Sequence, residues 1–219
     1  MNSVEKFKYK STKHVPWSRE DHRESDCHPD MSFFEGKEVV ITEKLDGENS
    51  NVYHDGSYHA RSLNTPYHPS REWLGRKAAE VGYKLPEGWR ICAENIYAKH
   101  SIKYNDLKAY IQAFSIWNNK NKCLGWDETL DWCSLFDIEH VPVIWRGKYD
   151  RQFIEKKFTH DKLCKMQGRE VEGYVMRTTE GFHYDEFKKH LAKFVRRNHV
   201  QTSEHWRHKE VEPNQLQSN

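Results

Sequence analysis

Apolar positions along this chain come in short bursts separated by polar and charged segments. Glu38–Lys44 carries Val39-Val40-Ile41 and reads as a buried strand. Asn51–His54 and Ser57–Arg61 flank Asp55-Gly56, a turn pair that joins strands into a hairpin. Ser70 is positioned to cap a helix running to about Gly82, with Glu72 in the first turn and Trp73, Leu74 and Ala78 facing inward. Trp89–Tyr97 and Tyr110–Trp117 read as further strands. A helix opens at Gly125-Trp126-Asp127 and runs to about Ile138, with Leu130, Cys133 and Phe136 at helical spacing. Val141–Trp145 predicts a short strand, Asp150–Met166 a helix, and Val171–Thr178 and Leu191–Val195 two more strands. Strands interspersed with helices and hairpins imply an α+β domain built on antiparallel sheets. Tyr9 through Trp17 reads as extended, because Pro16 excludes a helix interior. The chain thus divides into an N-terminal arm packed on the core (1–32), a main domain (33–205) and a polar C-terminal tail (206–219).

Composition narrows the class. The 219 residues suffice for one domain with a substantial core. No apolar run approaches the ~20 residues that span a bilayer, and the N-terminus lacks the apolar core of a signal peptide. A soluble, cytoplasmic protein with no membrane partner is expected. The five cysteines are scattered without a Cys-x-x-Cys, which argues against a disulfide framework or a zinc ribbon. Net charge is only +2, so the total does not announce a nucleic-acid partner. The distribution does more. From Lys188 to Lys209 the chain carries Lys188, Lys189, Lys193, Arg196, Arg197, Arg207 and Lys209 against Glu204, interleaved with Phe194 and Trp206. Such a tract is a solvated face or a phosphate-binding one. His205 and His208 within it read as basic-surface histidines.

The candidate chemistry centres on Glu43-Lys44-Leu45-Asp46-Gly47-Glu48-Asn49, where a lysine ends a strand beside acids and a glycine. An ordinary lysine titrates near pH ~10.4, so only about one in a thousand or fewer are neutral at pH 7. A nucleophilic lysine therefore needs desolvation, a nearby cation or a base. Four more polar signatures follow in order: Ala60-Arg61-Ser62, Ala93-Glu94-Asn95-Ile96-Tyr97, Glu172-Gly173-Tyr174-Val175-Met176-Arg177 and Ala192-Lys193-Phe194-Val195-Arg196. The aromatic strand Ile111–Trp117 lies between the second and third of these.

This ordered set resembles the covalent nucleotidyltransferase superfamily of polynucleotide ligases and mRNA capping enzymes. Within it the chain is most similar to small ATP-dependent RNA ligases of the bacteriophage type 2 group, over roughly residues 7–205. The resemblance implies an antiparallel-sheet nucleotidyltransferase (adenylyltransferase) domain without an appended OB-fold domain. It implies ATP as substrate, Mg2+ or Mn2+, a lysyl-AMP intermediate, and RNA with 5′-phosphate and 3′-hydroxyl ends as the partner in RNA repair. A separate RNA-presenting protein is a further expected partner. Lys44 is then the nucleophile, and Asp46 orients it or a metal-bound water. Glu172 holds the metal or its water shell, Glu94 meets the ribose, and Glu43 and Gly47 border the nucleotide. Phe114 stacks on the purine or is simply core, and Arg61 lies near the ribose and the RNA end. Lys193 neutralises the α-phosphate. Val195 stands where many relatives carry a second lysine, leaving Arg196 or Arg197 to supply that charge and bind RNA. The plain alternatives for Glu94 and Glu172 are exposed strand carboxylates, or salt bridges to Arg177 or Lys99. The alternative activities are a DNA ligase, a capping-type guanylyltransferase, or a non-catalytic RNA-binding protein retaining the fold. His14-Val15-Pro16-Trp17 looks like the arm of small RNA ligases, as a hydrophobic anchor or a contact to pyrophosphate or RNA.

Overall fold

The computed structural model describes residues 4–18, 24–64, 66–196 and 210–218. The described strands are β1 (Lys13–His14), β2 (Glu38–Lys44), β3 (Glu48–Tyr53), β4 (Tyr58–Ala60), β5 (Arg90–Asn95), β6 (Ile111–Trp117), β7 (Lys122–Cys123), β8 (Val143–Lys148), β9 (Gly173–Thr178), β10 (Phe182–His183) and β11 (Leu191–Val195). They form a five-stranded sheet in the order β1-β11-β9-β2-β8 and a six-stranded sheet in the order β10-β7-β6-β5-β3-β4. Only the β1–β11 pair among them is parallel. The helices are α1 (Glu72–Gly82), α2 (Trp126–Phe136), α3 (Arg151–Lys157), α4 (His160–Gln167) and α5 (Phe187–His190).

The apolar run of β2 reflects burial on both faces. Val39 and Ile41 pack with Ile154, Phe158, Leu163 and Met176, under α3 and α4. Val40, pointing the other way, joins Leu45, Ile96, Tyr104, Trp126 and Val141. Asp55-Gly56 turns the β3–β4 hairpin as expected, with Gly56 at φ 77°.

Three expectations, on two helices, differ in detail. The helix expected over Asp150–Met166 is two helices, broken at Phe158 and Thr159, the latter in an extended conformation. Ile154, Phe158 and Leu163 all reach one core. At about 100° per residue an unbroken helix would put Leu163 opposite Ile154, so the break lets both bury. Trp73 does not face inward: it is 40% exposed and rests against the rings of Tyr110 and Tyr97, while Leu74 and Ala78 are fully buried. The cap before α1 comes from His68, whose side chain accepts from the Ser70 N–H and starts a 3-10 turn over Pro69–Arg71.

Described segments near both termini lie against the body. β1 adds to β11, Val15 is buried in the core beneath α3 and α4, and Trp17 Nε1 donates to Tyr174 Oη at 3.0 Å. Val15 and Trp17 thus give the arm its hydrophobic anchor. Residues 210–218 run along the loop after β5. Asn214 is 1% exposed, accepts from the Tyr104 N–H and donates to the Ile96 carbonyl. No described helix is long and apolar enough to cross a membrane.

Candidate active site

The chain passes from the first sheet to the second through Leu45-Asp46-Gly47, between β2 and β3. A Cβ at Gly47 would sit 2.6 Å from both the Asn95 carbonyl oxygen and Ile96 Cγ2, so only glycine fits this crossing. Asp46 stiffens it. Its Oδ2 accepts from the Ser101 N–H (2.7 Å), Ser101 Oγ (2.6 Å) and the Ile102 N–H (2.8 Å), and its own N–H donates to Tyr104 Oη. That oxygen is committed to the 101–102 loop and not to Lys44.

Lys44, the last residue of β2, pairs in register with Gly173 of β9. Glu172 precedes Gly173, is 5% exposed, and accepts from Lys44 Nζ at 2.5 Å. Gly173 is required by close approach: a Cβ there would lie 2.0 Å from the Phe194 carbonyl oxygen on β11. β11 in turn sets Lys193 opposite Val175 and beside His14. From the second sheet, β5 contributes Glu94, opposite Asn49 of β3, and β6 contributes Phe114. Arg61 follows β4 and its guanidinium meets Ser11 Oγ of the arm.

These residues converge. A cavity of about 340 Å³ is lined by Lys44, Gly47, Glu94, Phe114, Lys193 and Arg61, with Glu43 at its border and Glu172 behind Lys44. That volume lies in the ~300–1,000 Å³ range of small-molecule pockets. The alternative partners for the carboxylates are engaged elsewhere: Lys99 with Glu212, and Arg177 with the Leu124 carbonyl.

Acidic groups gather around the Lys44 amine. Burial alone would lower the Lys44 pKa, but Glu172, Glu94 and Asp46 outweigh it and hold the amine above its ordinary value. Glu94 is pushed up to about 8, first by burial and then by the charges of Glu172 and Asp46, against the pull of Lys44 and the Gly47 N–H. Lys44 is therefore a cation at neutral pH in this arrangement. The Glu172 carboxylate beside Lys44 is an oxygen donor suited to a hard divalent ion.

Other expected residues lie apart. The Glu43 carboxylate faces away from the cleft and takes two hydrogen bonds from Arg169, at 2.6 and 2.9 Å. Arg196 is on the wrong face for the cleft. Alternation from Lys193 puts Phe194, stacked on Tyr174, and then Arg196 on the opposite side, where Arg196 donates to Glu170 at 2.7 Å. Arg197, His205 and His208 lie outside the described residues. The structure adds residues with weak signals in the sequence. Tyr9, in the polar arm, lines the cavity and sets its ring edge-on to Phe114 at 5.3 Å. Arg71 donates to both oxygens of Glu48 at 2.5 Å, bracing β3 from a position 23 residues away.

Residues 37–195 match the RNA ligase family. The chain belongs to that family. The solved structures similar to this RNA ligase family member include an archaeal ATP-dependent RNA ligase. It is 16% identical with a TM-score of 0.58, over 86% of this chain and 48% of that one. A Naegleria gruberi RNA ligase mutant with ATP and Mn is 17% identical with a TM-score of 0.60, over 87% of this chain and 61% of that one. A putative ATP-dependent DNA ligase from Aquifex aeolicus is 18% identical with a TM-score of 0.54, over 86% of this chain and 49% of that one. The chain thus spans about half to three-fifths of the length of these structures. Comparison with curated protein sequences gives no match. The shared fold is the nucleotidyltransferase fold of ligases, a mixed α+β domain on antiparallel sheets.

Proposed function

We propose that this protein is an ATP-dependent RNA ligase working through a lysyl-AMP intermediate, adenylylating an RNA 5′-phosphate and sealing it to a 3′-hydroxyl. The carrying observation is the contact of Lys44 Nζ with Glu172, at 2.5 Å, on the wall of a cleft that also holds Lys193, Glu94 and Phe114. Lys44 must first lose a proton. Its nitrogen then bonds to the α-phosphorus of ATP as the bond to pyrophosphate breaks. The AMP passes to the RNA 5′-phosphate, and the 3′-hydroxyl finally displaces it. Each step is an in-line phosphoryl transfer, governed by positioning and charge.

The residues divide this work. Glu172 is the group that would hold Mg2+ or Mn2+ or its water shell. When bound, such an ion neutralises the α-phosphate and relieves the Lys44 ammonium of its carboxylate partners. Lys193 approaches the α-phosphate from β11. Glu94, protonated up to about pH 8, is able to donate a hydrogen bond to a ribose hydroxyl. Phe114 offers its face to the purine, worth roughly 1–3 kcal/mol of stacking. Asp46 acts indirectly, fixing the loop that carries Gly47. Arg61, at the outer rim, meets the RNA end.

The substrate is tested by sealing assays on a nicked RNA duplex, an RNA hairpin loop and a nicked DNA duplex, each with ATP or GTP. Sealing of RNA with ATP is expected. Equal or better sealing of DNA, in line with the Aquifex similarity, overturns the substrate assignment; dependence on GTP overturns the nucleotide assignment.

A further inference from the structure

Away from the Lys44 cleft, α4 and the turn after it gather a second group of reactive side chains. His160 and Cys164 are four residues apart in α4 and share a face. Gly168, at φ 65°, reverses the chain and returns Glu170 to that face. His160 Nε2 lies 3.4 Å from Cys164 Sγ and 3.4 Å from Glu170 Oε1, and Cys164 Sγ lies 3.7 Å from Glu170 Oε2. A tetrahedral zinc ion, with bonds of ~2.3 Å to sulfur and ~2.0–2.1 Å to nitrogen or oxygen, separates its donors by roughly 3.3–3.6 Å. The separations of His160 Nε2 from Cys164 Sγ and from Glu170 Oε1 fall within about 0.2 Å of those edges, and Cys164 Sγ reaches the other oxygen of the same carboxylate.

The geometry points to a Zn2+ site formed by His160 Nε2, Cys164 Sγ and one Glu170 oxygen, with water as the fourth ligand. Supporting groups surround it. Asp161 Oδ1 lies 4.0 Å from His160 Nδ1, the nitrogen that keeps its proton when Nε2 binds metal. Arg196 Nη1 donates to Glu170 Oε1 at 2.7 Å and orients that carboxylate. His160 Nε2 also lies 3.1 Å from the Val171 carbonyl, a hydrogen bond that metal binding replaces. A mixed sulfur, nitrogen and oxygen set selects zinc over magnesium. Binding forms the zinc–sulfur bond as the Cys164 thiol gives its proton to solvent, so thiolate and carboxylate balance the ion.

The site's place in the fold gives it a consequence. The turn it would fasten carries Arg169, which holds Glu43, and leads into Glu172, whose carbonyl accepts from the Arg196 N–H. Zinc here is a staple for the segment behind Lys44. The assignment stands on these distances and is independent of the ligase reading.

The test uses the full chain, stripped with chelator and titrated with Co2+ and then Zn2+. One equivalent of Co2+ is expected to give a thiolate-to-cobalt charge-transfer band and tetrahedral visible bands, erased by one equivalent of Zn2+ but not by excess Mg2+. Cys164→Ser should abolish the charge-transfer band, and His160→Ala and Glu170→Gln should each weaken Zn2+ binding ~10–100-fold or more. Lys44→Ala should leave all of this intact. Circular dichroism verifies that each variant is folded. No charge-transfer band in wild type overturns the proposal. So does a band that survives Cys164→Ser, or Zn2+ affinity unchanged in His160→Ala.

Discussion

Glu94→Gln should change how stability depends on pH, with a predictable sign. In the folded protein Glu94 holds its proton up to about 8, against an ordinary value of 4.5. Between those values the folded chain binds one more proton here than the unfolded chain. Stability contributed by this site therefore falls as pH rises from about 4.5 to about 8 and levels off above. At 1.36 kcal/mol per pH unit, that interval sets a ceiling of about 5 kcal/mol. Glu94 is only half-buried and borders an open cleft, so solvent screening reduces the effect to roughly 2–4 kcal/mol. Glutamine is neutral throughout and lacks this penalty. Urea unfolding of both proteins across about pH 5 to 9 measures it, with a constant m-value licensing the comparison. The stability of the variant relative to wild type should climb by that amount between pH ~5 and ~8. Parallel pH profiles, or a difference that shrinks with rising pH, would refute the upward shift that burial, with Glu172 and Asp46, gives Glu94.

Other substitutions test the scaffold. Gly173→Ala puts a methyl 2.0 Å from the Phe194 carbonyl oxygen and should cost ~1–3 kcal/mol or more, read from the denaturation midpoint; a wild-type midpoint contradicts the close β9–β11 approach. Arg71→Met leaves the Glu48 carboxylate buried without its bidentate partner and should cost ~3–5 kcal/mol. Adding Glu48→Gln to Arg71→Met should restore part of that loss, and strict additivity of the two would deny the pair. Asn214→Ala strands the Tyr104 N–H and the Ile96 carbonyl, and calorimetry should register ~1–3 kcal/mol of destabilisation.

Much of the site could be read from the chain because its residues lie on regular strands. The run Val39-Val40-Ile41 marked β2, and strand periodicity then placed Lys44 at its end. Glu94, Phe114, Glu172 and Lys193 each sit in or beside a strand that the alternation revealed, and the cleft gathers them. The facing of Arg196 also follows from period-two counting: two steps from Lys193 reach Val195, while Arg196 shares the far side with Phe194. What stayed hidden depends on tertiary contact. Glu48 and Arg71 meet only because the 3-10 turn before α1 folds over β3. Tyr9 is one aromatic in a polar arm, and nothing local shows that its ring closes on Phe114. The two-residue strands β7 and β10 are too short for any periodicity. The break at Phe158–Thr159 carries neither glycine nor proline, and it arises because Ile154 and Leu163 share one core.

The central claim is that Lys44 becomes covalently linked to AMP. Incubation with α-labelled ATP and Mg2+ or Mn2+, followed by denaturation and peptide mapping, measures this directly. The expected result is label on the peptide containing Lys44, absent from Lys44→Ala. Well-folded wild-type protein that takes up no label, or label that maps to a different residue, would contradict it.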